Sequence, residues 1–280
     1  MTTLLIDGDI IAFQAATAAE TPTKWDDDLW TLHAYESTGQ DLIRMKLRKI
    51  TKATGVEDFK IYLTGSENFR KDVLDSYKAN RKDIRKPMIL KPMKDWMIEE
   101  YKAVLREPFE ADDLMGIRGS DSNDTIIVSE DKDLRTIPCR FYNPAHPEDG
   151  VINISEADAD AMFFSQVLTG DAVDNYKGCP KIGPVKAQQI IHKASLNLKE
   201  LTLRNSAIWT AIVATYEKAG LTQDDAITQA RCARILRYED LDDDGNIILW
   251  NPPKSVQQGR KVVAIMRIPS SPSNTLCRMN

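Results

Sequence analysis

Residues 110–134 read EADDLMGIRGSDSNDTIIVSEDKDL. They contain a predicted helix followed by a predicted strand, with acids at the start of the helix and after the end of the strand. The run TIIVS at 125–129 has the length and β-branched content of a buried strand. Three acids begin the helix that leads into this strand and two directly follow the strand: Glu110, Asp112 and Asp113, then Asp131 and Asp133. Acids at a helix start often only complement the helix dipole, so this segment alone does not indicate a functional site. Its interpretation depends on where the other acids of the chain lie.

Other strand-length apolar runs lie on both sides of this segment. They are LLI at 4–6, FKIYL at 59–63, RFY at 140–142 and a short run at the start of 151–168. Apolar residues at helical spacing over 41–53 and 91–105 predict helices between the strands. Alternation of strands and helices predicts an α/β fold with a mainly parallel central sheet flanked by helices. A helix capped by Ser155 follows the last run, and from about 169 to 238 the chain is predicted to be purely helical.

Acids follow other predicted strands as well. Asp7 and Asp9 directly follow the first strand, and Asp171 and Asp174, in GDAVDN, close the helix after the last one. Because ligands bind beyond the carboxyl ends of parallel strands, these acidic clusters are expected to meet. Lys132 is the only basic residue inside the clusters, so divalent cations are the better candidate to offset the repulsion. Two ions about 4 Å apart would suit hydrolysis of a phosphodiester.

The charge of the chain is unevenly distributed. The net charge is −5 over 280 residues, yet residues 70–94 contain nine Lys or Arg against three Asp, a balance of +6. This distribution favours an acidic cation site beside a basic channel. Four distant cysteines and three histidines favour neither a disulfide framework nor a zinc site. No apolar run approaches the ~18 residues that span a bilayer, and we expect a cytoplasmic protein without a membrane partner.

Two basic segments each have two interpretations. GCPKIGPVKAQQII at 178–191 predicts either a helix start that binds phosphate through backbone N–H groups or an ordinary turn with Pro184 at the first helical position. DSYKANRKDIRKP, within 70–94, is either a solvated loop or a clamp in which Lys78 and Arg81 contact a phosphate and Tyr77 stacks on a base. A third motif, at 240–251, begins like a calcium loop but has Asn251 at the twelfth position, which favours a plain turn.

The motifs IDGD, YKANR, EADD, SEDKDL, GDAVDN and GCPKIGPVKA, in this order, resemble the 5′-nuclease superfamily of flap endonucleases and 5′→3′ exonucleases. The similarity is greatest to the 5′→3′ exonucleases of short-tailed lytic bacteriophages and extends over about residues 3–251. It implies a PIN-like nuclease core over 1–168 that includes a basic arch at about 70–94. It also implies a helical region over 169–250 with a DNA-binding helix-three-turn-helix module at about 176–194. Composition predicts a basic flexible tail over 251–280, where KVVAIMRI could form a strand.

The resemblance also implies the residues of the site. The implied metal ligands are Asp7, Glu110, Asp112, Asp113, Asp131, Asp133, Asp171 and Asp174. The implied catalytic residues are Lys78, Arg81, Asp131 and Asp133. The implied nucleic-acid contacts are Tyr77, Lys78, Arg81, Lys82, Arg85, Gly178, Lys181, Ile182, Gly183 and Lys186. Two Mg²⁺ or Mn²⁺ ions are the expected cofactors, with K⁺ at the helix-three-turn-helix module.

The implied activity is a metal-dependent 5′→3′ exonuclease that acts on 5′ ends of duplex DNA and, in RNase H fashion, on RNA in RNA–DNA hybrids. Primer removal, phage DNA replication and recombination, and degradation of host DNA are the implied roles. A flap endonuclease is the alternative. IDGD also suggests a phosphatase that forms an aspartyl phosphate. Many relatives carry a further metal-binding Asp where this chain has Leu63 or Thr64, which suggests a DNA-structure-binding protein with impaired catalysis.

Overall fold

The computed structural model describes residues 1–253, so nearly all of the predicted tail, including KVVAIMRI, lies outside the described residues. The strands are β1 (Thr3–Asp7), β2 (Glu20–Lys24), β3 (Trp30–Ala34), β4 (Phe59–Tyr62), β5 (Thr125–Val128), β6 (Arg140–Tyr142) and β7 (Val151–Asn153). The helices are α1 (Gly8–Ala18), α2 (Glu36–Thr54), α3 (Arg70–Val73), α4 (Leu90–Tyr101), α5 (Ala111–Asp121), α6 (Glu156–Thr169), α7 (Pro184–Ser195), α8 (Leu201–Lys218) and α9 (Gln223–Ala233).

Five strands form the central sheet in the order β4-β1-β5-β6-β7. The pairs β1–β4, β1–β5 and β5–β6 are parallel, and β6–β7 is antiparallel. The predicted α/β fold with a mainly parallel sheet is therefore confirmed. Asp7 pairs in register with Tyr62, and Ile6 with Val128. This register brings the carboxyl ends of β1, β4 and β5 to one edge of the sheet.

The sheet is buried on both faces. Leu4 and Ile6 of β1 pack into a cluster with residues of α1, α2 and α4, whereas Leu5 points to the opposite face and packs with Met115 of α5. Both faces exclude water almost completely, since Leu4, Leu5 and Ile6 are each at most 1% exposed. A strand of continuous apolar residues is what a doubly covered parallel sheet requires.

A second apolar cluster joins α6, α7, α8 and α9. Phe163 and Val167 of α6 pack there with Trp209 and Tyr216 of α8. The helix α6 begins as predicted, because the Ser155 hydroxyl accepts the Asp158 backbone N–H at 3.1 Å. The predicted domain limits at 168 and 250 stay predictions, although α6 contributes to this helical cluster. No helix within residues 1–253 combines the length and the apolar character needed to cross a membrane.

Three local features differ from or refine the sequence prediction. The hairpin of β2 and β3 was not predicted. The helix predicted over 91–105 ends earlier, at Tyr101, because the Val104 N–H bonds to Ile61 O at 2.7 Å and draws the chain along β4. The segment predicted as a plain turn is a turn, in which the Asp242 carboxylate accepts the Asn246 backbone N–H at 2.8 Å.

Gly8 controls how closely α1 approaches β4. A Cβ at this position would lie 2.5 Å from Ile61 Cγ2 and 2.8 Å from the Tyr62 carbonyl oxygen. We expect Gly8→Ala to lower the free energy of unfolding by about 1–3 kcal/mol, measured by urea denaturation. In the control Gly183→Ala, the new Cβ meets nothing within 4 Å, and we expect a loss below about 1 kcal/mol, from the weaker helix cap alone. Equal effects of the two substitutions would contradict this packing.

Candidate active site

A cavity of about 990 Å³ opens at the carboxyl ends of β1, β4 and β5. Acids from all four predicted clusters line it: Asp7, Asp9, Glu110, Asp112, Asp131, Asp133, Asp171 and Asp174. Basic residues of the arch segment line it as well, among them Lys78, Arg81, Lys82, Lys86 and Lys94. The structure therefore brings together seven of the eight predicted metal ligands, and Asp113 is the exception.

Asp7 ends β1 and caps α1. One of its carboxylate oxygens accepts the Ile10 backbone N–H at 3.1 Å, and the other accepts the Ser129 hydroxyl at 2.8 Å. Ser129 directly follows β5, so this bond ties the ends of two neighbouring strands. Burial, and then the nearby Asp9 carboxylate, raise the pKa of Asp7 from 3.8 to about 6.

Asp131 and Asp133 lie in the tight turn that follows β5. Asp131 accepts the Asp133 backbone N–H at 2.8 Å and donates its own backbone N–H to Ser129 Oγ at 2.9 Å. Gln166 of α6 donates to Asp133 at 2.7 Å. Burial, followed by repulsion from Asp131 and Asp171, raises the pKa of Asp133 to about 7.

Asp112 lies in the first turn of α5, beside Glu110. Burial raises the pKa of Asp112 well above its ordinary value, and the carboxylates of Asp7, Asp131 and Glu110 raise it further. Asp112 lines the same cavity as Asp7 and Asp131, so acids from β1, α5 and the β5 turn come together there. The structure thus brings these segments together, as the position of the strand ends predicted.

Asp171 and Asp174 lie in the loop between α6 and α7. The prediction of a purely helical region from about 169 is wrong here, because the chain forms a turn closed by a bridge between Asp171 and Tyr176. Gly170 and Gly178 shape the loop: both have positive φ, and a Cβ on Gly170 would lie 2.5 Å from the Gly178 nitrogen. Both acids nevertheless line the cavity.

Lys78 and Arg81 reach into the cavity and pair with two of its acids. Lys78 Nζ contacts Glu110 and lies 3.5 Å from Asp174, and Arg81 Nη2 lies 2.5 Å from Asp174 Oδ1. Burial alone would raise the pKa of Glu110, but Lys78 and Arg70 outweigh it and lower the pKa to about 2. Arginine and lysine side chains, rather than the divalent cations that the sequence favoured, therefore offset the charge of Glu110 and Asp174 in this structure.

Asp113 does not line the cavity, which corrects its prediction as a metal ligand. The Arg70 guanidinium binds both of its oxygens, at 2.6 and 2.8 Å. The backbone N–H groups of Glu110 and Leu236 also donate to it, each at 3.1 Å. The carboxylate is fully buried with four donors, so it is committed to holding these segments together.

Tyr77 is not placed to stack on a base. Its side chain is 3% exposed, and its hydroxyl lies 3.0 Å from both Glu110 and Asp174. The sequence prediction fails because these partners are 33 and 97 positions away. Arg85, another predicted nucleic-acid contact, forms a bidentate pair with Glu20 on the hairpin at 2.6 and 2.8 Å.

The predicted phosphate-binding turn precedes α7. Gly183 caps this helix with Pro184 at its first position, and Lys186 Nζ donates to the Lys181 carbonyl at 3.2 Å. Lys181, Gly183 and Lys186 are exposed, and Ile182 is half-buried. Gly178 differs from them, because its N–H donates to Gln229 at 2.8 Å and is unavailable to a phosphate.

Sequence reasoning missed a pair on the β4 side of the cavity. Lys94 Nζ lies 2.6 Å from Asp9 Oδ1, and the Thr64 backbone N–H donates to Asp9 Oδ2 at 3.0 Å. The Thr64 hydroxyl in turn accepts the Ala111 N–H at 2.9 Å, at the start of α5. Lys94 belongs to the basic segment 70–94, but no spacing in the sequence predicts that it pairs with Asp9.

The residues fit a hard divalent cation by their chemistry. Within residues 1–253 the ion pairs of the cavity go to other acids, and no Lys or Arg pairs with Asp7, Asp112, Asp131 or Asp133. Carboxylate oxygens that repel one another are the ligands such ions prefer. As placed, no three His, Cys, Asp or Glu side chains of the described chain stand close enough to enclose an ion. The carboxylate ligands for a cation are thus present, but as placed they do not enclose one.

Residues 2–140 match the family described as 5′-3′ exonuclease, N-terminal resolvase-like domain. The chain is 29% identical to the exonuclease of Escherichia phage T7, over 89% of this chain and 93% of that protein. It is also 29% identical to the exodeoxyribonuclease of Enterobacteria phage T3, over 89% of this chain and 92% of that protein. A crystal structure of the bacteriophage T5 flap endonuclease, in a pseudo-enzyme-product complex with DNA and metal ions, matches with a TM-score of 0.56 at 14% identity, covering 83% and 91% of the two chains.

The sequence matches identify a nuclease of the 5′-nuclease class, and its fold is like that of the T5 flap endonuclease. Residues 2–140 form the 5′-3′ exonuclease N-terminal domain, and the protein is a 5′-3′ exonuclease of the phage type.

The raised pKa values predict how the stability depends on pH. Asp7 and Asp133 have pKa values of about 6 and about 7 in the folded protein, against 3.8 ordinarily. The folded protein therefore keeps these protons to higher pH than the unfolded chain, so stability falls as the pH rises from about 4 to about 7. We expect the melting temperature in chelator to decrease between about pH 4 and pH 7, and Asp133→Asn to flatten this decrease. The exposed control Asp83→Asn should leave the slope unchanged; a flat wild-type profile would contradict the prediction.

Proposed function

We propose that the protein is a divalent-metal-dependent exonuclease that hydrolyses duplex DNA from 5′ ends and removes RNA from RNA–DNA hybrids. One observation carries the proposal: four acids without an ion-pair partner in the described chain share a cavity with the basic arch residues. The four acids are Asp7, Asp112, Asp131 and Asp133. An acidic site for cations beside a basic site for phosphate is the combination that phosphodiester hydrolysis needs.

We propose that the acids of the cavity provide sites for two ions that share Asp131. Asp7 and Asp112 interact with Asp131, and Asp133 interacts with Asp131, Asp171 and Asp174. We assign the first group, with Glu110, and the second group each to one Mg²⁺ or Mn²⁺. The ions, when bound, supply an activated water and positive charge for the phosphate.

Lys78 and Arg81 are the proposed phosphate contacts within the cavity. Both already lie among its acids, through Glu110 and Asp174. A scissile phosphate competes with these carboxylates for the two basic groups, and its developing charge strengthens that competition. Lys82 and Lys86 line the same cavity and extend the basic surface along the strand.

The start of α7 is the proposed contact with the duplex beyond the cut. Gly183 and Pro184 begin a helix whose first N–H groups suit a phosphate, and Lys181 and Lys186 lie exposed beside it. This segment would form the helix-three-turn-helix module at about 176–194, with K⁺ as a further ligand. Primer removal, phage DNA replication and recombination, and degradation of host DNA in the cytoplasm are the roles we propose.

A flap endonuclease is the second candidate, favoured by the fold likeness to the T5 enzyme, whose TM-score is 0.56. A phosphatase that uses IDGD is less well supported. Its second Asp would have to be available as an acid, whereas Asp9 is bound by Lys94 and by the Thr64 N–H. The four unpaired acids also favour an active enzyme over a catalytically impaired DNA-binding protein.

Cleavage of a 5′-labelled duplex in Mg²⁺ tests the activity. We expect release of short 5′ products, and a loss of at least about 100-fold in rate for Asp131→Asn with DNA affinity retained. Asp149→Asn, at an exposed position outside the cavity, is the matched control. Undiminished release by Asp131→Asn would refute the assignment. Matched blunt, flapped and RNA-primed substrates in the same time course separate exonuclease, flap-endonuclease and RNase H-type activity.

Metal binding is testable without DNA. We expect Mg²⁺ or Mn²⁺ to raise the melting temperature in a calorimetric scan, because cations relieve the repulsion among the four acids. Asp112→Asn removes one charge from the first group and should reduce the rise by about half or more. Asp149→Asn should show the full rise. A melting temperature independent of metal would count against the site.

A further inference from the structure

Arg70 begins the basic segment, but it is a buried residue with 2% exposure. All three guanidinium nitrogens donate. Nε donates to Cys232 O at 3.1 Å, and Nη2 donates to Arg234 O and Asp113 Oδ1 at 2.5 and 2.6 Å. Nη1 donates to Asp113 Oδ2 at 2.8 Å and to Glu110 Oε2 at 3.1 Å. The five contacts use the full donor capacity of the group.

These contacts join three parts of the molecule. Arg70 lies at the root of the arch segment, eight positions before Lys78. Glu110 and Asp113 lie at the start of α5, and Glu110 lines the cavity. The two carbonyl oxygens belong to the end of α9 and the residue that follows it, where the chain leaves the helical region. Arg70 therefore lies where the arch, the acidic cavity and the helical region meet.

Glu110 depends on this arrangement for its orientation. Its Oε2 accepts from Arg70 and from the Tyr77 hydroxyl at 3.0 Å, and this leaves Oε1 to face Lys78. Arg70 itself has little freedom to turn, because Asp113 binds it in bidentate fashion and the two carbonyls fix its other edge. Asp113 is fixed in its turn by the Leu236 N–H at 3.1 Å.

We propose that Arg70 is a positioning residue that orients the Glu110 carboxylate into the cavity. Through Arg70, this orientation depends on the end of the helical region. The inference rests on the proposed function in that Glu110 is taken as a cation ligand. The competing explanation is that Arg70 only fastens the helical region to α5. The two explanations differ in whether the effect of changing Arg70 passes through Glu110.

A double-mutant cycle separates them. Arg70→Lys keeps the charge but has no planar fork to serve both carboxylates and both carbonyls. We expect it to lower kcat on duplex DNA about tenfold with KM changed by less than about twofold, and to raise the Mn²⁺ concentration for half of the melting-temperature rise about tenfold. In a Glu110→Gln background, the same substitution should change either quantity by less than about twofold.

Arg237→Lys is the matched control for loss of a buried arginine. Arg237 is also 2% exposed, and it binds Asp160 at 2.8 Å and Thr136 O at 2.7 Å, away from the acidic cavity. It should lower the melting temperature without changing the Mn²⁺ midpoint. Equal losses from Arg70→Lys in both backgrounds, or the same kinetic and Mn²⁺ effects from Arg237→Lys, would overturn the proposal.

Two possible failures, an Arg70→Lys variant that does not fold and a wild-type protein without activity, each have their own measurement. If Arg70→Lys does not fold, Asp113→Asn replaces it in the cycle, because it removes the bidentate anchor of Arg70 and should give a smaller change in the same direction. A wild-type protein that cleaves no duplex would refute the proposed function. The Mn²⁺ midpoints would then still decide the role of Arg70, because they require no substrate.

Discussion

Repulsion among carboxylates at one edge of the sheet is the constraint on which the rest of this structure depends. The parallel strands bring Asp7 and the Asp131 turn together, and α5 adds three more acids. The chain meets the repulsion in two ways. Arginine and lysine from residues 70–94 pair with Glu110, Asp113, Asp174 and Asp9. Asp7, Asp112 and Asp133 keep raised pKa values, and a bound cation is the natural means of lowering them.

The same polar groups connect the parts of the fold. The Ser129 hydroxyl joins the ends of β1 and β5 through Asp7, and Gln166 joins α6 to the β5 turn through Asp133. Arg70 joins the arch and the helical region to α5. A substitution at such a joint therefore changes both the stability and the geometry of the site. For this reason a loss of activity alone identifies no ligand, and a separate measurement of metal-dependent stability is needed.

Much of the fold and of the site was predictable because it depends on short-range patterns. Buried parallel strands are continuous apolar runs, and the sheet-edge rule then brought acids distant in sequence to one cavity. The errors concern side chains whose partners are far away in the chain. Asp113 pairs with Arg70 across 43 positions, and Tyr77 reaches Asp174 across 97. The hairpin of β2 and β3 has little buried apolar alternation, so its residues gave no strand pattern.

On the proposed function, the pairing of Lys78 and Arg81 with Glu110 and Asp174 also couples the two kinds of ligand. Each ion pair that opens provides a basic group for a phosphate and a carboxylate for a divalent cation. A bound phosphate therefore leaves the acids with more unbalanced charge and raises their affinity for cations. By thermodynamic reciprocity, bound cations raise the affinity for the phosphate by the same factor. The basic arch thus does more than attract DNA: its pairing with the cavity makes occupation by metal and by substrate mutually dependent.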